Sequence, residues 1–151
     1  VLYLYLISQW SEIARVLQYH GAEHKAINAF ESGSTLDPKD VAKFSRLKPR
    51  CGTSFLFFTI LISIALFALI PKTTFTMRLL YRILLIPVIA SLSYELLKLS
   101  DKYRDSKIVK VLIYPGLMFQ KLTTKEPTQD MIDVAVTALK KVKDIQESIN
   151  N

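Results

Sequence analysis

The sequence contains a single cysteine, Cys51, among its 151 residues. A lone cysteine excludes an internal disulfide, and it fits a reducing, cytoplasm-facing loop. The sequence also lacks a basic run interleaved with aromatic residues. Its formal net charge of +7 comes from lysines and arginines that flank apolar blocks. This pattern argues against nucleic-acid binding and favours a membrane topology signal.

No charged residue occurs from Cys51 to Pro71. A helix over this stretch would be about 30 Å long at about 1.5 Å per residue, which matches the hydrocarbon core of a bilayer. We therefore predict a transmembrane helix over 51–71. A second apolar block, 79–97, has its two charged residues, Arg82 and Glu95, near its ends. It predicts a second span, which Pro87 would kink but not prevent.

The other segments are expected to be helical and to lie at the membrane surface. Residues 1–18 lack both an initiator Met and a signal-peptide layout, so they predict the end of an N-terminal span, or an interfacial helix, within a longer protein. Residues 19–50 form a polar helical segment, in which Asp37-Pro38 starts a short helix with Asp37 as the N-cap. Residues 98–127 contain Pro115-Gly116 and predict an interfacial segment that is too short and too broken to span.

Residues 128–151 predict an amphipathic helix, with Thr128 as its N-cap and Asp130 in its first turn. Its apolar residues recur at steps of three and four. This helix would pack on the body of the protein or on a protein partner. The residues of its apolar stripe are Met131, Val134, Ala138, Val142, Ile145 and Ile149.

Together these segments predict an all-α integral membrane protein with a single membrane domain, built on a transmembrane helical hairpin. Lysines and arginines are numerous before and after the hairpin, whereas the turn has only Lys72 and Arg78. The positive-inside rule places both flanking segments in the cytoplasm, in a multi-pass protein of the plasma (inner) membrane. A hairpin returns to the side it left, so we expect Cys51 and Glu95 at the membrane face that carries His20.

His20, Glu23 and His24 share one face of a presumptive helix. The order His-x-x-Glu-His is that of inverted zinc-peptidase motifs, in which two helix histidines bind the metal and the glutamate handles a proton. It predicts His20 and His24 as ligands of a divalent metal such as zinc, with Glu23 as the catalytic residue. Glu95 or Cys51 would supply the third ligand from downstream.

Each of these residues also has a structural interpretation. The histidines could hydrogen-bond within a surface helix, and Cys51 could simply pack at a helix start. Glu95 could be an interfacial carboxylate that is salt-bridged to Lys98 or Arg50. Glu31 lies on the face of the two histidines, where it would either orient an imidazole or remain a solvated charge.

Several strings in the chain are similar to those of one family. They run in the expected order from about Tyr19 to Pro127: Tyr19-His20-Gly21-Ala22-Glu23-His24-Lys25, Pro49-Arg50-Cys51-Gly52-Thr53-Ser54-Phe55, Ser93-Tyr94-Glu95, Pro115-Gly116-Leu117, Gln120, Leu122-Thr123-Thr124 and Glu126-Pro127. By these strings the chain resembles the YqhQ-like membrane proteins, classed as domain of unknown function 1385. The resemblance implies a bacterial-type, multi-span membrane protein from a family described as predicted metal-dependent enzymes without an established reaction. One departure is Lys48, which stands where the family pattern is expected to have a histidine and so removes one possible ligand.

Two functions are compatible with these patterns. The first is a metal-dependent hydrolase that acts at the cytoplasmic membrane interface on a lipid-linked or membrane-bound substrate. The second is a non-catalytic membrane scaffold or assembly subunit, in which the same polar residues form a hydrogen-bonded knot and the C-terminal helix holds a partner. Both imply the lipid bilayer as a partner, and neither involves nucleic acid.

Overall fold

A computed structural model describes residues 2–103 and 106–150, without the side chain of Asn150. The parts of the predicted segments that fall on Val1, Arg104, Asp105 and Asn151 lie outside the described residues. Within those residues the chain is helical and contains no strand, which confirms the all-α prediction. The helices are α1 (Leu2–Ile7), α2 (Ser11–Glu31), α3 (Pro38–Val41), α4 (Gly52–Ala68), α5 (Phe75–Lys102), α6 (Lys107–Thr123) and α7 (Gln129–Asn150).

The chain forms two compact units. The first, which we call the histidine unit, comprises Val1–Lys48 and Gln120–Asn151. The second, the apolar unit, comprises Pro49–Phe119. The apolar unit is therefore inserted in sequence between the two pieces of the histidine unit, and the second boundary falls inside α6.

The core of the histidine unit lies between α2 and α7. Three alanines on one face of α2 are almost fully buried, and their small side chains let α7 and α3 pack closely against that helix. As predicted, α3 begins after Asp37, whose carboxylate accepts a hydrogen bond from the Lys39 backbone N–H at 2.8 Å. The core residues are Ala22, Ala26, Ala29, Val41, Met131, Ile132 and Val136.

Only the first half of α7 contributes to this core. Met131, Ile132 and Val136 are buried, whereas Val142 and Ile149 on the predicted apolar stripe are 61% and 77% exposed. The predicted helix is present and begins directly after Thr128. Its buried face is rotated from the predicted stripe, and its second half is uncovered within the described residues.

In the apolar unit, α5 is the one helix of the described residues that is long and apolar enough to cross a membrane. The predicted first span is helical as α4, which is apolar but only 17 residues long. The structure thus offers one candidate span, and the two-span hairpin remains a prediction. α5 continues through Pro87, and the Arg82 guanidinium carbon lies 5.2 Å from the ring centroid of Phe67.

α6 corrects one detail of the sequence analysis. It is an uninterrupted helix of 17 residues with Pro115 and Gly116 inside it, so the expected break is absent. A proline removes one backbone donor without ending the helix where neighbouring elements support it. Here Gly116 lies against Ser54 and Phe57 of α4, since a Cβ at this glycine would be 3.6 Å from side-chain atoms of both residues.

Candidate metal centre

His20 and His24 lie one turn apart on α2, as their spacing predicts. Their ring centroids are 4.4 Å apart and the rings meet edge to face. His24 is only 3% exposed, and His20 is partly buried. One ring nitrogen of His20 lies within 4.8 Å of one ring nitrogen of His24. Zinc is bound by histidine nitrogens at about 2.0–2.1 Å, so two adjacent rings can contribute to one site.

Backbone carbonyl groups orient both rings. Nδ1 of His20 is 2.8 Å from the carbonyl oxygen of Thr123, and Nδ1 of His24 is 2.7 Å from that of Arg46. Because a carbonyl oxygen can only accept a hydrogen bond, each Nδ1 must carry its proton. In a neutral ring this leaves the lone pair on Nε2, which is the tautomer required for a metal bond through that atom.

Lys25 fastens the segment after α3 to the same helix. Its side chain is 6% exposed, and its ammonium group donates to the carbonyl oxygens of Ala42 and Phe44 at 2.8 and 2.9 Å. The third donor reaches a carboxylate oxygen of Glu126 at 2.6 Å. All three N–H groups of the ammonium therefore have an acceptor, which compensates the cost of burying the charge.

Lys48, in the segment that precedes α4, is a second buried lysine that bonds to α2. Its side chain is 6% exposed, and its ammonium group pairs with the Glu31 carboxylate at 2.5 Å. Glu31 therefore has a lysine partner, which differs from both interpretations that the sequence offered for this carboxylate.

Gln120 holds the backbone of Lys48. Its side-chain oxygen accepts from the Lys48 N–H at 2.9 Å, and its amide group donates to the Lys48 carbonyl oxygen at 2.5 Å. Gln120 has no exposed surface. The Arg46 guanidinium adds a further link, because it donates to the carbonyl oxygen of Thr124 and to its hydroxyl group at 3.2 Å. The two segments whose carbonyls orient the histidines are therefore tied to each other.

Three further residues were predicted to belong to the site. Glu23 is exposed and lines a groove of about 410 Å³ between α2 and α7. Cys51 and Glu95 belong to the apolar unit. Cys51 is buried at the start of α4, where its sulfur accepts from the Thr53 N–H at 3.4 Å. Glu95 lies 4.0 Å from the Lys98 ammonium. The site roles of these three residues remain predictions.

Sequence reasoning missed Lys25, Gln120 and Thr124 as parts of this cluster. Lys25 bonds Ala42, Gln120 bonds Lys48 and Thr124 accepts from Arg46, and all three partners are far away in sequence, so no local periodicity reveals them. One signal for the cluster was present in the sequence. Gln120 and Thr124 are four residues apart, and both belong to the strings that carry the family resemblance. Both residues are fully buried, and the Thr124 hydroxyl donates to the Gln120 carbonyl oxygen at 2.7 Å.

These features define a helical protein with an oriented histidine pair, one ring buried and the other partly buried, and with one candidate membrane span. The chain belongs to the family described as protein of unknown function DUF1385, whose model matches residues 1–145. It is 44% identical over 134 residues to the uncharacterized protein YqhQ of Bacillus subtilis (strain 168). That match covers 89% of this chain and 42% of the relative, so the chain spans less than half of the relative's length. No solved structure matches the chain.

Proposed function

We propose that this chain belongs to an integral membrane protein that binds a divalent metal ion, such as zinc, through His20 and His24. The proposed activity is metal-dependent hydrolysis of a membrane-bound or lipid-linked substrate at the cytoplasmic interface. The observation that carries the proposal is the pair of hydrogen bonds from Nδ1 to backbone carbonyl oxygens. Two adjacent imidazoles whose Nδ1 atoms donate to backbone carbonyl oxygens can offer Nε2 to a metal, so they are a suitable partial ligand set.

The chain's own groups would hold this site in place. The carbonyl groups of Arg46 and Thr123 orient the rings, while Lys25 and Gln120 fix the segments that carry those carbonyls. When bound, a divalent ion supplies Lewis acidity that polarises a carbonyl or phosphoryl oxygen of the substrate. Glu23 keeps its predicted role in proton transfer, and its exposed position allows proton exchange with water.

Metal analysis of the detergent-purified protein tests the site. We expect about one ion per molecule in the parent and less than about one in ten in His20→Ala and in His24→Ala, because metal binding requires the full ligand set. Glu12→Gln is the control: it changes an exposed position on α2, two turns before His20, without removing an imidazole. Cys51→Ser and Glu95→Gln identify the third ligand, as the variant that loses the ion.

A parent protein that stays metal-free after zinc supplementation would overturn the metal proposal. The alternative is then a non-catalytic membrane scaffold or assembly subunit. It is favoured by the exposed second half of α7, where Val142 and Ile149 have no covering element within the described residues. In that role the buried lysines and Gln120 serve only to fasten α2 to the segments around it.

The proposed location is the plasma (inner) membrane, with two spans and both flanking segments in the cytoplasm. The apolar composition of α4 and the length of α5 support it. The bilayer is then a partner of the apolar unit, and α7 is the candidate contact for a protein partner.

A further inference from the structure

Two adjoining apolar grooves lie among α4, α5 and α6 in the apolar unit. Their volumes are about 290 and 460 Å³, and Phe58, Leu96 and Leu112 line both. The smaller groove extends along α5 to Leu99 and Tyr103, where the candidate span ends. The larger one extends along α4 to Ala65. Together they offer an elongated apolar surface that begins at the end of α5.

Basic residues adjoin the groove-lining positions Leu99, Tyr103 and Val109 in sequence. Lys98 and Lys102 at the end of α5, and Lys107 and Lys110 at the start of α6, are all exposed. α6 contains no acidic residue along its length. The two nearby acidic residues of the described segments already have basic partners: Glu95 lies 4.0 Å from Lys98, and Asp101 lies 3.5 Å from Arg50. The surface is therefore a cationic rim beside an apolar groove, which we call the α5–α6 corner.

The apolar wall that α6 gives to the grooves is largely exposed and continues to Ile108. Ile108, Val111 and Leu112 are 74%, 73% and 63% exposed, and they lie on one side of the helix. A helix with an uncovered apolar stripe and lysines as its only charges is typical of elements that lie in the membrane interface.

We propose that the α5–α6 corner binds an anionic phospholipid. The lysines would contact the headgroup phosphate, and an acyl chain would lie in the grooves beside Phe58 and Leu112. A phospholipid is favoured over a partner protein because one molecule supplies both the anion and the long apolar chain that this surface complements. The inference rests on the proposed membrane location of the apolar unit, but it is independent of the metal site.

Lipid binding to the detergent-purified full chain tests the proposal. Native mass spectrometry would compare phosphatidylglycerol with phosphatidylcholine of the same chain length. We expect the triple variant K102Q/K107Q/K110Q to bind phosphatidylglycerol about 100-fold more weakly, at about fivefold for each lysine near a headgroup. Its binding of phosphatidylcholine should not change. Leu112→Gln should weaken the binding of both lipids, because it makes the shared groove wall polar.

The matched control is K140Q/K141Q/K143Q, which removes the same charge from exposed positions on α7. It should keep the parent's preference for phosphatidylglycerol. Equal losses in both triple variants, an unchanged preference in the corner variant, or a stoichiometric protein bound at the corner would each overturn the proposal. Loss of the protein from membranes in alkaline carbonate would instead contradict the membrane location, and a metal-free parent would contradict only the metal site.

Discussion

Gly21 allows a close backbone contact within the histidine unit. A Cβ atom at this position would overlap the carbonyl oxygen of Lys125, whose N–H donates to the Leu17 carbonyl oxygen at 2.8 Å. The obstacle is backbone rather than a flexible side chain, so it cannot rotate away. This contact ties the segment after α6 to the helix that carries both histidines.

Gly21→Ala should therefore destabilise the protein. Alanine normally favours a helix interior over glycine, but the overlap with Lys125 should outweigh that gain and cost about 1–3 kcal/mol. Thermal unfolding in detergent measures the effect as a lower Tm. Gly52→Ala is the control, since nothing lies within 4 Å of a Cβ there, and its Tm should be unchanged or higher. Equal Tm values for the two variants would contradict the role assigned to Gly21.

Individual residues were predictable where their relation is local. The adjacency of His20 and His24 follows from helix geometry alone, and the structure reproduces it. The hydrogen-bond partners of these histidines were not predictable, because Arg46 and Thr123 reach them through tertiary folding. The same limit applies to Lys48, whose Glu31 partner is 17 residues away.

Among the elements, α7 shows that the start of a helix can be predicted from the sequence more readily than the face that it buries. Its start after Thr128 follows from the local capping pattern, and the structure agrees. Its buried face depends on where α2 lies, and a single-helix pattern does not contain that information. Met131 belongs to both the predicted stripe and the observed core, whereas Ile132 and Val136 belong only to the core.

The start of α7 also gives the protein a dependence on acidic pH. A hydrogen bond from the Thr128 side chain lowers the pKa of Asp130 from its usual value of 3.8. Because the folded-state pKa is the lower one, this contribution to stability is present above pH 3.8 and is lost as the pH falls through the folded-state pKa. The Tm of the parent should therefore fall in this acidic range, and part of that fall should disappear in Asp130→Asn.

Asp144→Asn is the matched control for this effect, because it removes a carboxylate from an exposed position further along α7. The Tm of this control should fall with decreasing pH as much as the Tm of the parent does. An identical acid dependence of the Tm in Asp130→Asn and the parent would show that the contact between Thr128 and Asp130 does not contribute.

At the scale of the whole molecule, the all-helical architecture was predictable because apolar runs and helical periodicity are strong signals. The division into two units was not, since it depends on contacts between segments that are distant in sequence. The number of membrane spans was only partly predictable. α5 meets the length of a span, whereas α4 ends at Ala68 and is shorter than the predicted 51–71.

Membrane topology can be measured directly by cysteine labelling. In a Cys51→Ser background, Lys72→Cys should react with a membrane-impermeant maleimide in intact cells, because the turn is expected outside. Lys140→Cys should react only after permeabilisation, since the C-terminal segment is expected in the cytoplasm. Both positions are exposed in the structure, so accessibility within the protein does not limit labelling. Labelling of both from the same side would contradict a hairpin that crosses the bilayer.

The pairing of Gln120 with Lys48 has a consequence for biosynthesis. Residue 48 is the last before the apolar unit and residue 120 is the first after it, so this clamp closes the base of a loop of about 70 residues. A ribosome makes the chain from its N-terminus, so α2 can meet α3 early but must wait for α7 until the whole inserted segment has been made. His20 still lacks the carbonyl of Thr123 while the apolar unit is being made, so both histidines become oriented only after translation has passed residue 123.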